Sequence, residues 1–517
     1  MSDAPAVGIN PSDAVQYSRG ASYLIMQSLG MNVVQVIAFI ILARLITTAQ
    51  MGIFAILLLI NTACQTFVTL SIDQAVIKFV AENIPAGDSL AGTSAFYQGL
   101  RATILLSAPA VAIIYLSAPF LATHLIGDPS RSILFQVLAF DTLFFSGVLP
   151  VVTAALLALR KFRETAIVTA IINGIIRQVM ILSLIVVMKS LLGLVTAWII
   201  CDAATASVML FLAIKELGPP KFNFALTRLL RFSLPLSLSS FANFAQAWFD
   251  RAMLVVFVPL ATLGVYNATV TAFTVLSGIS LSMSNMLFPA YSTIKDKTHG
   301  RSIGNASRLA TRYVSFILVP FALGLAVTAK QALVVFVGQA YTGGTIPLMI
   351  LSTAFALTVT FTTSLSPLFL ALEKTRAYSA IATISVVFSV AVAYLLLPHL
   401  GIVGAASARA VSMIITAILV VVTLKRKGLF GADREAIGKS LIAGFIMVAA
   451  ISATQLVADR PLLLPVYILI GGLTYLAALR TLRAVTSADM DLIHAFLGPR
   501  FALISSLLRR VLLPPEM

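Results

Sequence analysis

Thr165, Thr169, Asn173 and Arg177 recur at every fourth position of an otherwise apolar stretch. Helical spacing keeps all four along one slowly drifting face. The last is a guanidinium, which binds phosphate through paired N–H groups and keeps its charge. That combination suits an anionic, hydroxyl-rich ligand. Further polar stripes run through Asn61, Gln65, Thr69 and Asp73, through Ser239, Asn243, Gln246 and Asp250 after Pro235, and through Asn267, Thr271, Thr274, Ser277 and Asn285. Ser and Thr in apolar helices also bond their own backbone or a neighbouring helix, so one stripe alone reads as packing before substrate contact. Four together predict a hydrophilic cleft.

Charges inside apolar runs add to this, because each costs about 2.5–3.5 kcal/mol at the centre of a bilayer. Arg177 and Asp202 lie in successive runs and admit two readings: a structural ion pair, or a cleft-facing cation for an anionic headgroup. Asp250 and Arg251 are adjacent, so their side chains diverge by about 100° and do not form one helix-face pair; one of them is expected to face the cleft. Asp73 and Lys78 fall near the outer end of the second run, Arg101 opens the third, and Asp141 and Arg409 sit within later ones. For these, interfacial or ion-paired roles are open.

The elements that must position these residues follow from composition. Of 517 residues 59% are hydrophobic and 10% charged, with a mean hydropathy of +1.01; a soluble domain carries about 25% charge. Crossing about 30 Å of hydrocarbon takes roughly 20 apolar residues. Runs of that length fall near 20–44, 49–72, 98–124, 132–158, 165–187, 192–214, 232–257, 263–289, 311–333, 345–371, 377–398, 402–424, 437–457 and 461–482. The expected fold is an all-α polytopic membrane protein of about fourteen transmembrane helices. The first run is too long for a signal peptide and stays as a span.

The net charge of +16 sits between the spans, which points to topology and anionic lipid headgroups rather than nucleic acid. Alternate gaps hold the basic groups Arg160 to Arg163, Lys215 to Arg231, Lys295 to Arg312, Lys374 with Arg376, and Lys425 to Lys439, whereas the others hold Arg44, Arg131, Lys189, Lys330 and Arg460. The positive-inside rule then puts both termini in the cytoplasm of a cell-membrane protein.

A shift of about 212 residues lays the first third of the chain over the middle. Ala43 to Ala55 matches Val255 to Ala268 around Gly52 and Gly264, and Leu157-Ala158-Leu159-x-Lys161-x-Arg163 matches Leu370-Ala371-Leu372-x-Lys374-x-Arg376. Leu192-Gly193-Leu194-Val195 lines up less well with Leu400-Gly401-Ile402-Val403. An even number of helices per copy implies parallel repeats, a transporter architecture with its substrate between the lobes; a duplicated scaffold is the plainer reading. The expected organisation is a cytoplasmic N-terminal tail (1–18), an N-lobe of six spans (19–214), a cytoplasmic linker (215–231), a C-lobe of six spans (232–424), two further spans (425–483) and a cytoplasmic amphipathic tail (484–517).

No catalytic constellation or cofactor motif competes with transport. His124, His299, His399 and His494 have neither metal-ligand nor triad spacing, Cys64 and Cys201 lie inside apolar runs as single thiols, and no P-loop is present. We expect no enzyme, no metal and no cofactor.

Ile41-Leu42-Ala43-Arg44-Leu45 to Gly52-Ile53-Phe54, and Asp73-Gln74-Ala75-Val76-Ile77-Lys78-Phe79, resemble the opening of Wzx-type polysaccharide-biosynthesis membrane proteins, members of the multidrug/oligosaccharidyl-lipid/polysaccharide flippase superfamily. Leu234-Pro235-Leu236, Asp250-Arg251, Leu263-Gly264-Val265-Tyr266 and Gly338-x-x-Tyr341 resemble its second half, and the likeness runs from Arg19 to Lys427. It implies a two-lobed flippase that moves a polyprenyl-linked oligosaccharide to the outer leaflet by alternating access, with cavity cations holding the carrier's phosphate. Arg177 matches a basic position of the fifth span, and Asp250 with Arg251 a charged position of the seventh. The implied partners are the lipid-linked oligosaccharide and membrane lipids, with a coupling ion and glycan-assembly proteins compatible.

The candidate substrate residues are thus Arg177, Asn173, Asp202, Asp250, Arg251, Asp73, Lys78, Asn61, Gln65, Asn243 and Asn285. A cation-coupled multidrug exporter of the same superfamily is the first alternative, disfavoured because span 20–44 has no acidic residue and Arg177 would repel a cation. A membrane-embedded polymerase or ligase is the second, disfavoured by outward gaps only a few residues long.

Overall fold

The computed structural model describes residues 11–295, 301–487 and 489, and among them the chain is helical with no strand. In chain order the α-helices are α1 (Pro11–Leu45), α2 (Thr48–Thr69), α3 (Ile72–Asn83), α4 (Ser89–Leu121), α5 (Ser132–Thr142), α6 (Leu149–Ala158), α7 (Phe162–Val168), α8 (Arg177–Met188), α9 (Leu192–Leu217), α10 (Leu226–Phe257), α11 (Leu260–Lys295), α12 (Arg301–Val327), α13 (Ala329–Phe336), α14 (Thr345–Ala371), α15 (Thr375–Arg426), α16 (Arg434–Val457) and α17 (Leu464–Thr481). π-helical turns at Leu143–Val148 and Thr169–Ile176 join α5 to α6 and α7 to α8 into continuous rods.

Among the described residues twelve helical segments are long and apolar enough to cross a membrane. The expected fourteen differs through two features. α10 falls short because its charge-free stretch between Arg231 and Asp250 is diluted by Ser233, Pro235, Ser237, Ser239, Ser240, Asn243 and Gln246, and Thr375–Arg426 counts once although Gly401 breaks it with φ +52° and ψ −126°. The surface fits lipid: Leu456 and Leu462 are 90% and 89% exposed, while Ser107, Ser146, Ser352, Ser385 and Ser389 are fully buried. Small polar residues let helices approach closely where lipid tails remove the hydrophobic drive to associate.

Helix ends are marked as the chain chemistry requires. Thr47 and Gln50 form a reciprocal capping box on α2, and Asp88 accepts from the Ala91 N–H at 2.9 Å to open α4. That cap starts α4 at Ser89, earlier than the expected 98. Leu70 and Ser71 both take positive φ and end α2, so 72–83 becomes a separate helix. Lys78 of α3 lies 4.4 Å from the Phe232 ring, while Arg228 lies over Phe79 and Phe224. It therefore shares the end of the unit carrying the basic 215–231 stretch, which corrects its expected placement at the outer end.

The chain forms two compact units, Met1–Trp248 and Phe249–Met517, dividing within α10. Repeat-related segments fold alike in each. Arg160 (φ +61°) and Glu373 (φ +56°) close the same turn, with Lys161 N–H donating to Leu156 O at 2.9 Å and Lys374 N–H to Phe369 O at 2.7 Å. Gly193 faces the backbone of Leu184, and a Cβ there would lie 2.7 Å from it; Gly404 stands in the same relation to Leu396. Gly193 thus pairs with Gly404, which corrects its expected alignment with Gly401. Of the amphipathic tail expected over 484–517, all but 484–487 and 489 lies outside the described residues.

Candidate functional site

In the first unit, one buried cluster gathers residues from α2, α5, α8, α9 and the Thr169–Ile176 turn. Arg177 Nη1 donates to Asp202 Oδ1 at 3.2 Å, and its guanidinium lies 5.5 Å from the Trp198 ring. Asn61 Nδ2 donates to Asp141 Oδ2 at 3.2 Å, and Thr205 Oγ1 donates to Asn173 Oδ1 at 2.9 Å. Asp141 and Asp202 have no exposed surface. The π-helical turn explains how Asn173 and Arg177 reach one cluster. An α-helical stripe of every fourth residue drifts steadily in one sense, and the wider turn takes part of that drift back.

The second unit builds a different cluster. Arg409 Nη1 of α15 donates to Asp250 Oδ2 of α10 at 2.5 Å, and Tyr266 OH of α11 donates to the same oxygen at 2.7 Å. Asp250 and Tyr266 are fully buried and Arg251 is 8% exposed. The ion partner of Asp250 is Arg409 on α15, five helices further along the chain.

The structure therefore brings Asn61, Asn173, Arg177 and Asp202 together, and separately sets Asp250 beside Arg251. It does not bring in the rest. Asp73 accepts from Gln74 Nε2 at 2.9 Å in the first turn of α3, and Lys78 pairs with Glu82 at 3.8 Å. Gln65 is half-buried, and Asn243 and Asn285 are exposed. Two residues outside the candidate set belong inside it, Asp141 and Arg409. Each is a lone charge in an apolar run, the same signal that marked Asp202. Cys64 and Cys201 are free thiols, and no metal-holding group of His, Cys, Asp and Glu occurs among the described residues.

Outside the membrane-spanning segments, the ordinary rules hold. Hydrogen bonds from Ser130 and Arg131 hold the Asp128 carboxyl below its usual range, and those from Lys330 and Gln331 do the same for Asp459. Glu216 raises Lys161 by accepting its hydrogen bond at 2.7 Å, tying the α6–α7 turn to the end of α9.

A protein-family profile described as "Polysaccharide biosynthesis protein" matches residues 41–345, more than half of the chain. No curated protein matches the sequence. Solved structures with a similar fold include a lipid II flippase, MurJ, in an inward closed conformation (15% identity, TM-score 0.74, covering 91% of this chain and 100% of that one). A multidrug-resistance MATE transporter in its inward-facing conformation gives 14% identity and a TM-score of 0.65, covering 77% and 94%. A superfamily transporter from Pyrococcus furiosus gives 12% identity and 0.51, covering 84% and 94%. At these identities the likeness is one of fold: that of the multidrug/oligosaccharidyl-lipid/polysaccharide flippase superfamily.

Proposed function

We propose a transport function from one premise: the chain belongs to the polysaccharide biosynthesis protein family. Its role is to flip a polyprenyl-(pyro)phosphate-linked oligosaccharide from the cytoplasmic to the outer leaflet of the cell membrane by alternating access, for cell-surface polysaccharide or glycoprotein assembly. The observation that carries this reading is the agreement of family with fold, since the similar structure covering 91% of the chain is itself a lipid-linked flippase by name. Fourteen crossings, counting α10 and both halves of α15, would put both termini on one side, and the basic gaps between spans favour the cytoplasmic side by the positive-inside rule.

The side chains supply what such a substrate needs. Arg177 spends one guanidinium nitrogen on Asp202 and keeps 17% of its side chain exposed, leaving further N–H donors for a phosphate oxygen. Arg251, 8% exposed beside Asp250, is a second buried cation. The amides and hydroxyls of Asn61, Gln65, Asn173, Asn243 and Asn285 and their stripes suit a glycan moving through water, while the polyprenyl tail stays in lipid. Assembly proteins that extend or collect the glycan are its natural partners.

Export of organic cations is the second reading, and the fold shared with MATE transporters favours it. The test is leaflet exchange of a labelled lipid-linked oligosaccharide in proteoliposomes, read by accessibility to an external glycosidase. Protein-dependent exchange that Arg177→Lys weakens supports the flippase. Export of a cationic dye with no exchange across several carrier lipids would replace it with the exporter.

A further inference from the structure

In the first unit four membrane-spanning segments meet at one end: α1 stops at Leu45, α2 starts at Thr48, α8 stops at Met188 and α9 starts at Leu192. A cavity of about 300 Å³ opens between the α1–α2 turn and the α8–α9 turn, the size of a small ligand site. From this point α9 runs 26 residues to Leu217, about 39 Å at 1.5 Å per residue. The cavity therefore lies at the end of the unit opposite the basic 215–231 stretch. Ends of spans mark the depth of lipid headgroups.

The polar part of the cavity wall consists of donors. Lys189 is exposed, and its ammonium has no ion or hydrogen-bond partner among the described residues. Its backbone takes the left-handed conformation that ends α8, with its N–H bonded to Ile185 O at 2.9 Å. Gln50 Oε1 accepts from the Thr47 N–H at 3.0 Å in the capping box of α2, which leaves the carboxamide N–H groups for a ligand. Ser190 Oγ accepts from the Leu192 N–H at 3.2 Å, which leaves its hydroxyl hydrogen to donate. No carboxylate lines the cavity. One cation with two neutral donors and no acid selects an anion, and such a set suits phosphate oxygens.

The apolar part of the wall decides what the phosphate is attached to. Ile46, Ile185 and Leu191 form a buried floor, while Leu45 and Val186 are 47% and 56% exposed at the rim. A free phosphate would leave these rim side chains bare at headgroup depth, whereas an acyl chain covers them. We propose that the cavity binds an anionic phospholipid, its phosphate held by Lys189, Gln50 and Ser190 and one acyl chain lying on Leu45 and Val186. The positive-inside rule makes it a lipid of the outer leaflet. Bulk phospholipid surrounds this rim at all times, so the occupant is the abundant anionic lipid of the bilayer rather than a scarce carrier. Its phosphate ties the α1–α2 turn to the α8–α9 turn.

The test uses the purified full chain in lipid nanodiscs and needs no transport, so it is independent of the flippase reading. Phosphatidylglycerol carrying a diazirine on one acyl chain is photoactivated, and the crosslinked peptides are mapped by mass spectrometry. Labelling should concentrate on residues 45–50 and 185–191 and exceed that from a phosphatidylcholine probe. Lys189→Gln should cut it at least about fivefold, the weight of one basic residue at a lipid surface, and Lys189→Arg should restore it. Lys189 is exposed, so both variants keep the fold. Lys330→Gln, which removes a cation from the second unit, should leave the labelling unchanged. Equal labelling by the two probes, or undiminished labelling in Lys189→Gln, overturns the proposal. Full competition by inorganic phosphate also overturns it, since the site would then take a free anion. Labelling by a polyprenyl phosphate probe but not by phosphatidylglycerol would give the cavity to the carrier lipid and overturn it as well.

Discussion

Arg177 Nη1 lies 3.2 Å from Asp202 Oδ1, with the carboxyl side chain wholly buried and 17% of the arginine side chain exposed. The pair is therefore both a structural bond and a partly accessible cation. Removing one partner of a buried pair costs about 3–5 kcal/mol, because the other charge stays behind in the interior. Arg177→Ala should lower thermal stability in detergent by that order as well as reducing leaflet exchange. The double variant Arg177→Met with Asp202→Leu removes both charges and should recover most of the stability. Exchange still lost in that stable double variant assigns the guanidinium to substrate; restored exchange makes the pair structural only.

The second unit predicts a graded series at one carboxylate. Asp250 accepts from Arg409, from Tyr266 and from the Arg251 backbone N–H at 2.8 Å. Tyr266→Phe removes one hydrogen bond to a charged group and should cost about 1.5–3 kcal/mol. Asp250→Ala leaves two buried guanidinium groups without their anion and should cost more than Tyr266→Phe. Differential scanning fluorimetry of both variants checks the order, and equal melting temperatures would refute it.

Glycine substitutions test the repeat. A Cβ on Gly193 would meet the Leu184 backbone at 2.7 Å, and one on Gly404 would meet the Leu396 backbone at 2.7 Å. Backbone cannot swing aside as a side chain can, so Gly193→Ala and Gly404→Ala should each destabilise by about 1–3 kcal/mol. Gly324→Ala is the control, since the nearest atom to its added Cβ is the tip of Met447 at 3.8 Å. A neutral result at Gly193 or Gly404 would show that the tight approach relaxes in the membrane.

The all-helical, membrane-spanning class was legible because the apolar runs follow directly from the cost of unsatisfied backbone in lipid. Polar stripes also located Asn61, Asn173 and Arg177, and the cost of a charge inside an apolar run marked Asp202; the fold gathers all four. Asp141 and Arg409 were noticed as charges in apolar runs but not assigned to the site, because linear spacing relates residues on one helix, whereas their partners lie 80 residues or more away in the chain. The Gly193 register was misread because Leu-Gly-x-Val recurs at both Gly193 and Gly401, and only the close helix approach marks Gly404 as its counterpart. The separate helix over 72–83 was not foreseen because nothing local announces that Leu70 and Ser71 turn into the left-handed region.

At the end of the second unit where Asp459 follows α16, hydrogen bonds from Lys330 Nζ at 2.6 Å and Gln331 Nε2 at 2.9 Å hold its carboxyl below the usual range. A carboxyl with a depressed folded value contributes stability above the unfolded value of about 3.9, and that contribution fades as pH falls through the folded value. Melting temperature should therefore drop more for wild type than for Asp459→Asn as the buffer is taken from pH about 5 to about 3. The difference should be small, under about 1 kcal/mol, because the Lys330 and Asp459 side chains are 49% and 44% exposed and solvent screens them. High salt should shrink it further. An Asp459→Asn variant that loses as much stability as wild type over the same range would place the acid-labile group elsewhere.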